Sequence, residues 1–581
     1  MKSRRISWFW PFSFLAALGQ VLLLVTGNDG GPSEARFALA LWTLWIPGVW
    51  LGNLLTKPRT SLLARTPLQT ACALAIAYLA LQLSLLGLIP HSVLPLALSG
   101  LSTLVAGAFL FLPEGPPDRR QTRYDARNDR PAEPAVLTLF GLLVLVVAGL
   151  QLWAGSPLSL RADGVDHVAS VARALETAFP LGAYDPGAGS IGFDPHRSLV
   201  PSLLHLVSGM SAQAPHVLWD LLPAVAAPLF LLAFFAFARV IFPNESLAVL
   251  GTLVCFAMVT EGLSNDALRL AGYPDRLALI PLWVSLGLFV EGLDRPHPRI
   301  GIALAMSSLA TVGTHLGAGW LLALGMLTIG TFTWTSVDRF LEGIPLLAVL
   351  WLPALCTSGA YLLVRAATLG SLAPAGVPAQ GLFILDPGLW TLDPGRFGRS
   401  TLAAGLFAVL FLPVLFRDAW SRITTYTLVS LTVLVVCLGF NPWIFPDVER
   451  GAGPWVRFLP CLEPVPLGLV GLARWALIGR DKGQGLVWLR FLIVGVCLGL
   501  VVSVSIQGIS HPRYTLGALG EAHPEDPSRW AAAAESLAVV SPDPAVVVAP
   551  PFAARAARSV RLWSLAFSMA TPAGRSSSAA T

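Results

Sequence analysis

Charge is what this chain has least of: Asp, Glu, Lys and Arg make up 12% of its 581 residues, while 55% are hydrophobic, and mean hydropathy is +0.69. An average soluble domain carries about 25% charged residues. A water-soluble globule is therefore excluded, and many apolar runs exceed the roughly 18 residues that a bilayer span requires. Positive excess is equally thin. The 38 Lys and Arg stand against 33 Asp and Glu, for a net charge of +5. The arginines flank apolar runs instead of forming one basic face, which excludes nucleic acid as a partner and makes them evidence of topology. Cysteine is sparse too. The six, at positions 72, 255, 356, 437, 461 and 497, show neither pairing nor metal-ligand spacing, so they read as buried free thiols. No small-x-small cleavage site follows the first apolar run, and Met1 to Gly27, with Lys2, Arg4 and Arg5 at its head, reads as a retained anchor.

What is present in abundance is span-length apolar sequence, enough for about 13–15 transmembrane helices in an all-α polytopic membrane protein. The first nine expected in the order of the chain cover 7–27, 36–55, 67–88, 92–113, 134–154, 214–240, 246–261, 276–293 and 299–316, and further spans follow to 506. Basic residues recur on alternate loops. Lys57, Arg59 and Arg65, then Arg119, Arg120, Arg123, Arg127 and Arg130, then Arg239, Arg295, Arg299, Arg339, Arg417, Arg422, Arg474, Arg480 and Lys482 all fall on one side. The positive-inside rule makes that side cytoplasmic, together with the N-terminus. The long mixed loops 155–200, 262–275, 365–399 and 441–454 then face outward, as does the tail 507–581. That tail holds one helix-like stretch and one short strand before an aperiodic Ala/Ser/Arg end. The first four spans show almost no internal polar residues. With the Arg-rich linker they form an N-terminal accessory bundle, 1–133, ahead of a core over 134–506.

The first large outward loop is where ionisable groups gather. In LRADGVDHVASVARALE, helical spacing puts Asp163, Asp166, His167, Ser170 and Arg173 on one face, with Val168, Val171, Ala172, Leu175 and Phe179 opposite. This describes a juxtamembrane helix lying on the outer leaflet and closed by Pro180. A second amphipathic piece, RSLVPSLLHLVSG, sets a stripe of Ser198, Ser202, His205 and Gly209 against Leu199, Leu203, Leu206 and Val207. Between them, AYDPGAGSIGFDPHR is a loop carrying Asp185, Asp194, His196 and Arg197. Interfacial helices carry charges on a wet face without any function. Two carboxylates one turn apart beside a histidine also offer a general base, a divalent-metal site or a coupled pair.

An aspartate on a juxtamembrane helix of the first large outward loop, then a Pro-x-x-x-His segment, Pro201 to His205, leading into LLPAVAAPLFLLAFFAFARVIF, resembles the GT-C superfamily of membrane glycosyltransferases. The likeness covers approximately 134–510 and is nearest to a bacterial branch in which an aspartate precedes a histidine by four residues, here Asp163 and His167. The resemblance implies a GT-C-like bundle in a bacterial cytoplasmic membrane. Its donor would be a polyprenyl-phosphate-linked sugar, and its acceptor a lipid, glycan or protein. Carried over to these positions, Asp163 is the catalytic carboxylate. Asp166, where the motif usually has an apolar residue, is the rival for that role, and His167 and His205 line the same cavity. A leaving phosphate needs cationic or metal stabilisation, which makes a divalent metal one option among cofactors and leaves the metal ligands unknown. Arg457, in DVERGAGPWVRFLP, Arg276, in AGYPDRLALIPLW, and His315, in TVGTHLGAGW, sit at outward span ends and are the substrate-binding expectations.

As turn formers Asp386 and Asp393, in LDPGLW and LDPGRFG, need no function, while the resemblance, in which such outward loops gate substrate, makes them acceptor or metal contacts; interfacial anchoring is an alternative for Arg457. Asp220 falls near an outer span end. A transporter or lipid flippase would need charged or broken midplane helices and an internal repeat, and a polysaccharide polymerase or ligase would need a large late outward loop. The ionisable groups here gather early and at span ends. On a background without native cysteines, a membrane-impermeant thiol reagent applied to intact cells is expected to label Asp185→Cys and to spare Arg123→Cys; labelling of the second would overturn the assigned sidedness.

Overall fold

The computed structural model describes residues 8–27, 32–56, 62–85, 88–111, 134–154, 182–183, 192–193, 199–213, 215–241, 273–294 and 297–315, with isolated helical positions between 245 and 252 and between 318 and 330. Within these the chain is almost wholly helical. The helices are α1 (Phe9–Thr26), α2 (Ser33–Leu55), α3 (Leu62–Leu85), α4 (Leu94–Phe111) and α5 (Pro134–Ala154), then α6 (Val200–Ser211), α7 (Pro215–Ile241), α8 (Pro274–Leu277), α9 (Leu279–Asp294) and α10 (Pro298–Thr314). A 3-10 turn, His91–Val93, precedes α4. Two short strands, β1 (Gly182–Ala183) and β2 (Gly192–Phe193), pair antiparallel with Gly182 opposite Phe193. Four helices, over Phe9–Thr26, Glu34–Leu55, Leu62–Ser84 and Val217–Ile241, are long and apolar enough to cross a membrane.

The helix ends follow local chemistry. Gly27 stops α1 in the left-handed region at φ 61°, and its N–H donates to the Leu23 carbonyl. At the head of α10, Pro298 occupies a position where no amide donor is needed, and the His297 side chain accepts from the Arg299 N–H at 3.1 Å. Helix α3 begins five residues before the expected 67 and runs through Pro67. The span expected over 276–293 is two pieces, α8 and α9, separated at Ala278. The spans expected beyond 330 lie outside the described residues.

Antiparallel neighbours build the bundle: α1 on α4, α2 on α3, α5 on α7, and α9 on α10. Phe140 near the start of α5 meets Phe235 near the end of α7 at 5.0 Å, which sets those two antiparallel. Trp283 of α9 packs on Phe234 and Phe237 of α7, with ring centroids 5.0 and 4.8 Å apart. One continuous core includes Phe37, Tyr78 and Leu94 from before residue 133 as well as Phe140, Trp219, Trp283 and Leu304 from after it. At one end of the bundle Arg65 lies within electrostatic reach of Arg239, which pairs with Glu245 at 2.6 Å. Both arginines belong to the set that the charge pattern assigns to one side.

One expectation needs correction. The first four helices carry more than a trace of internal polar groups: Ser13, Gln20, Thr43, Gln69, Gln82, Ser99 and Ser102 are all buried. The stripe of the RSLVPSLLHLVSG segment is partly enclosed, with His205 half-buried and Gly209 exposed. Helix α6 is wedged against α2, α3, α4 and α7, Ser202 is 1% exposed, and Gln20 Nε2 of α1 donates to the Met210 carbonyl at 2.6 Å. Twelve residues rise only about 18 Å, so α6 is too short to cross a bilayer and is instead enclosed between longer helices.

Close approach of α2 and α3 depends on Gly48 and Gly52, one turn apart in GVWLG. A Cβ added at Gly48 would lie 2.6 Å from Ala73 Cβ, and one at Gly52 would lie 2.8 Å from Gln69 Cγ. Small residues at this spacing let helix backbones meet where burial from water supplies no driving force. Gly48→Val is expected to destabilise the purified protein by about 1–3 kcal/mol through overpacking. Gly100→Ala, which meets nothing within 4 Å, is expected to be neutral or stabilising; thermal unfolding in detergent checks both.

Candidate functional site

The end of the bundle where α10 finishes is held by two hydrogen bonds. The Leu199 N–H, one residue ahead of α6, donates to the Gly313 carbonyl at 2.8 Å. The Tyr78 hydroxyl of α3 and Thr314 Oγ1 lie 2.9 Å apart, both buried. Because the single Thr314 hydroxyl proton goes to the Ala310 carbonyl at 2.7 Å, Tyr78 is the donor. Gly313 makes this junction possible, since a Cβ there would sit 2.6 Å from Tyr78 Cδ2. His315 follows directly. It is half-buried, in extended backbone, and its N–H closes the helix on the Thr311 carbonyl at 3.0 Å.

Arg276 reaches the same end on α8, a four-residue helix touching α9 and α10. It is 6% exposed, and its backbone N–H donates to the Tyr273 carbonyl at 2.9 Å. The Tyr273 ring stands edge-on to Trp219 of α7 at 4.9 Å, and Trp219 is itself 2% exposed. A guanidinium enclosed in this way sits in a low dielectric, where its interaction with an anion is much stronger than at an open surface. His205 faces elsewhere. It lines a cavity of about 380 Å³ with Leu24 of α1, Pro95 of α4 and Gly209 of its own helix. Of the expected site residues, Arg276 and His315 are thus carried by contacting elements, while His205 looks toward α1 and α4.

Asp163, Asp166, His167 and Arg457 lie outside the described residues, as do Asp185, Asp194, Asp386 and Asp393. Asp220 falls in the second turn of α7. The loop holding the aspartate pair is nevertheless bounded by described elements. It leaves the end of α5 and returns at Leu199, bonded to Gly313 two residues before His315. Among the described residues no three His, Cys, Asp or Glu side chains converge as a metal site.

Tyr78 is a residue that sequence reasoning passed over. A tyrosine inside the 24-residue helix α3, in the apolar stretch ALAIAYLAL, needs a partner for its hydroxyl, and that signal was available from the sequence. Set against family profiles, curated proteins and solved structures, the chain has no match. Tyr78→Phe is expected to lower stability by about 0.5–1.5 kcal/mol, the net worth of one buried hydrogen bond, as read by thermal unfolding; an unchanged midpoint would mean the bond contributes nothing to holding α3 against α10.

Proposed function

We propose that this chain is an integral membrane glycosyltransferase of a bacterial cytoplasmic membrane, moving a sugar from a polyprenyl-phosphate carrier to a lipid, glycan or protein acceptor on the extracytoplasmic face. The observation that carries the reading is the junction of Leu199 with Gly313. It brings the return end of the loop bearing Asp163 and Asp166 to the end of the bundle that also holds His315 and the buried Arg276. The four helices of membrane-crossing length and composition support the membrane setting.

In the proposed reaction the acceptor hydroxyl attacks the sugar's anomeric carbon. One aspartate, Asp163 or Asp166, takes the hydroxyl proton as the new glycosidic bond forms. The bond from that carbon to the carrier phosphate breaks, and its electron pair leaves with the phosphate oxygen. Arg276, with Arg457 as a second guanidinium, offsets the charge on that phosphate; the planar fork of arginine can bind two of its oxygens at once. His167 and His315 contribute to the walls around the donor.

The test begins with labelled polyprenyl-phosphate sugars screened against the purified full chain. With a donor identified, Asp163→Asn or Asp166→Asn is expected to bind it normally and to lose turnover by about a hundredfold or more, after all variants are shown to insert and unfold like the wild type. Unchanged turnover in both would leave the aspartate pair as a solvated helix face. Movement of labelled carrier between leaflets without sugar transfer would replace the reading with a transporter.

A further inference from the structure

The cavity between α1, α4 and α6 takes no part in the reaction described above. Its volume of about 380 Å³ lies within the roughly 300–1,000 Å³ of small-molecule sites. Its lining separates by chemistry: Leu24, Leu96 and Leu206 are apolar, while Ser92 and His205 supply a hydroxyl and an imidazole. Around its opening Val25 is 67% exposed, Val93 44% and Leu96 40%, whereas Leu206 is buried. Bare Val and Leu around an opening are unfavourable against water by about 25 cal/mol per Å² and impose no such cost against hydrocarbon. The cavity also sits between the last turn of α1 and the first turn of α4. In membrane-crossing helices those turns lie where the hydrocarbon gives way to headgroups.

An occupant matched to these walls has an apolar body that enters sideways from the bilayer and a polar group level with Ser92 and His205. We infer that the cavity holds one acyl chain of a bilayer glycerophospholipid, with its phosphate against the Ser92 hydroxyl and the His205 imidazole. The site ties a lipid to α6 and so to the Leu199–Gly313 junction. It rests on the membrane reading of the helices and is independent of glycosyl transfer. Gly209 keeps the space open: a Cβ placed there meets only Pro95 Cγ, at 3.8 Å, so a larger side chain at 209 fills the cavity without striking backbone.

The test uses the full chain in nanodiscs containing phosphatidylglycerol with a photoactivatable group in its acyl chain. Cross-links are expected on peptides containing Leu24 and Leu206, above the level on the open face of α1 at Leu15, which is 65% exposed. Gly209→Leu is expected to lower them about tenfold, a loss of about 1.4 kcal/mol in occupancy, and to leave the Leu15 signal alone. His205→Ala is expected to weaken labelling by phosphatidylglycerol but not by a diacylglycerol with the same chain. Labelling no higher than at Leu15, insensitivity to Gly209→Leu, or an equal response of the two lipids to His205→Ala would overturn the assignment. Displacement of the phospholipid by an equal mole fraction of polyprenyl phosphate would overturn it as well, giving the cavity to the carrier. None of these results bears on the Asp163 and Asp166 variants, so the two readings fail separately.

Discussion

A missing methyl group at Gly313 is what the described architecture turns on. Without a Cβ, the end of α10 accepts the flat ring of Tyr78 against its backbone, and the Tyr78 hydroxyl then reaches Thr314. On the other side of the same residue, the Gly313 carbonyl receives the Leu199 N–H. Three segments far apart in sequence are thereby joined within two residues of His315. A side chain at 313 would strike the Tyr78 ring and move its hydroxyl from Thr314.

The rest of the bundle meets the same demand in smaller ways. In an apolar interior a polar group without a partner is expensive, and the hydroxyls resolve this locally. Thr70, Ser99, Thr103, Ser211 and Thr311 each donate to the carbonyl four residues earlier. Others reach across helices, as Ser102 does to the Thr43 carbonyl at 2.7 Å and Ser285 to Ser307 at 2.8 Å. These cross-helix bonds are individually modest in membrane settings. They specify register, which uniform apolar packing cannot do. Together with Gly48 and Gly52 they explain how helices of nearly featureless hydrophobicity find particular partners.

The functional reading follows from where polar groups are tolerated. Among the described residues the arginines lie near helix ends, with Arg65 and Arg239 toward one end of the bundle and Arg276, on the element that touches the end of α10, toward the other. Under the proposed reading, the phosphate of the donor would meet the buried Arg276, which is carried on an element that touches α10, while the acid-bearing loop returns at Leu199 on the same helix end. Helix α6 links that corner to the lipid-facing cavity, since Leu199 at its head holds the junction and His205 and Gly209 further along line the cavity.

Sequence alone determined the helical class, the order of the first spans and the segregation of charge, because hydropathy and arginine placement are one-dimensional signals that a bilayer reads directly. The segment 134–154 is recovered to the residue for that reason. The GVWLG spacing and the lone tyrosine of α3 were legible too, but only as features seeking a partner. Tertiary structure alone decided which partner. It gave the amphipathic segment α6 its neighbours, packing it against α2, α3, α4 and α7 with most of its residues buried. It also set His205 toward α1 and α4, since a periodicity says which residues share a face and nothing about which helix that face will meet.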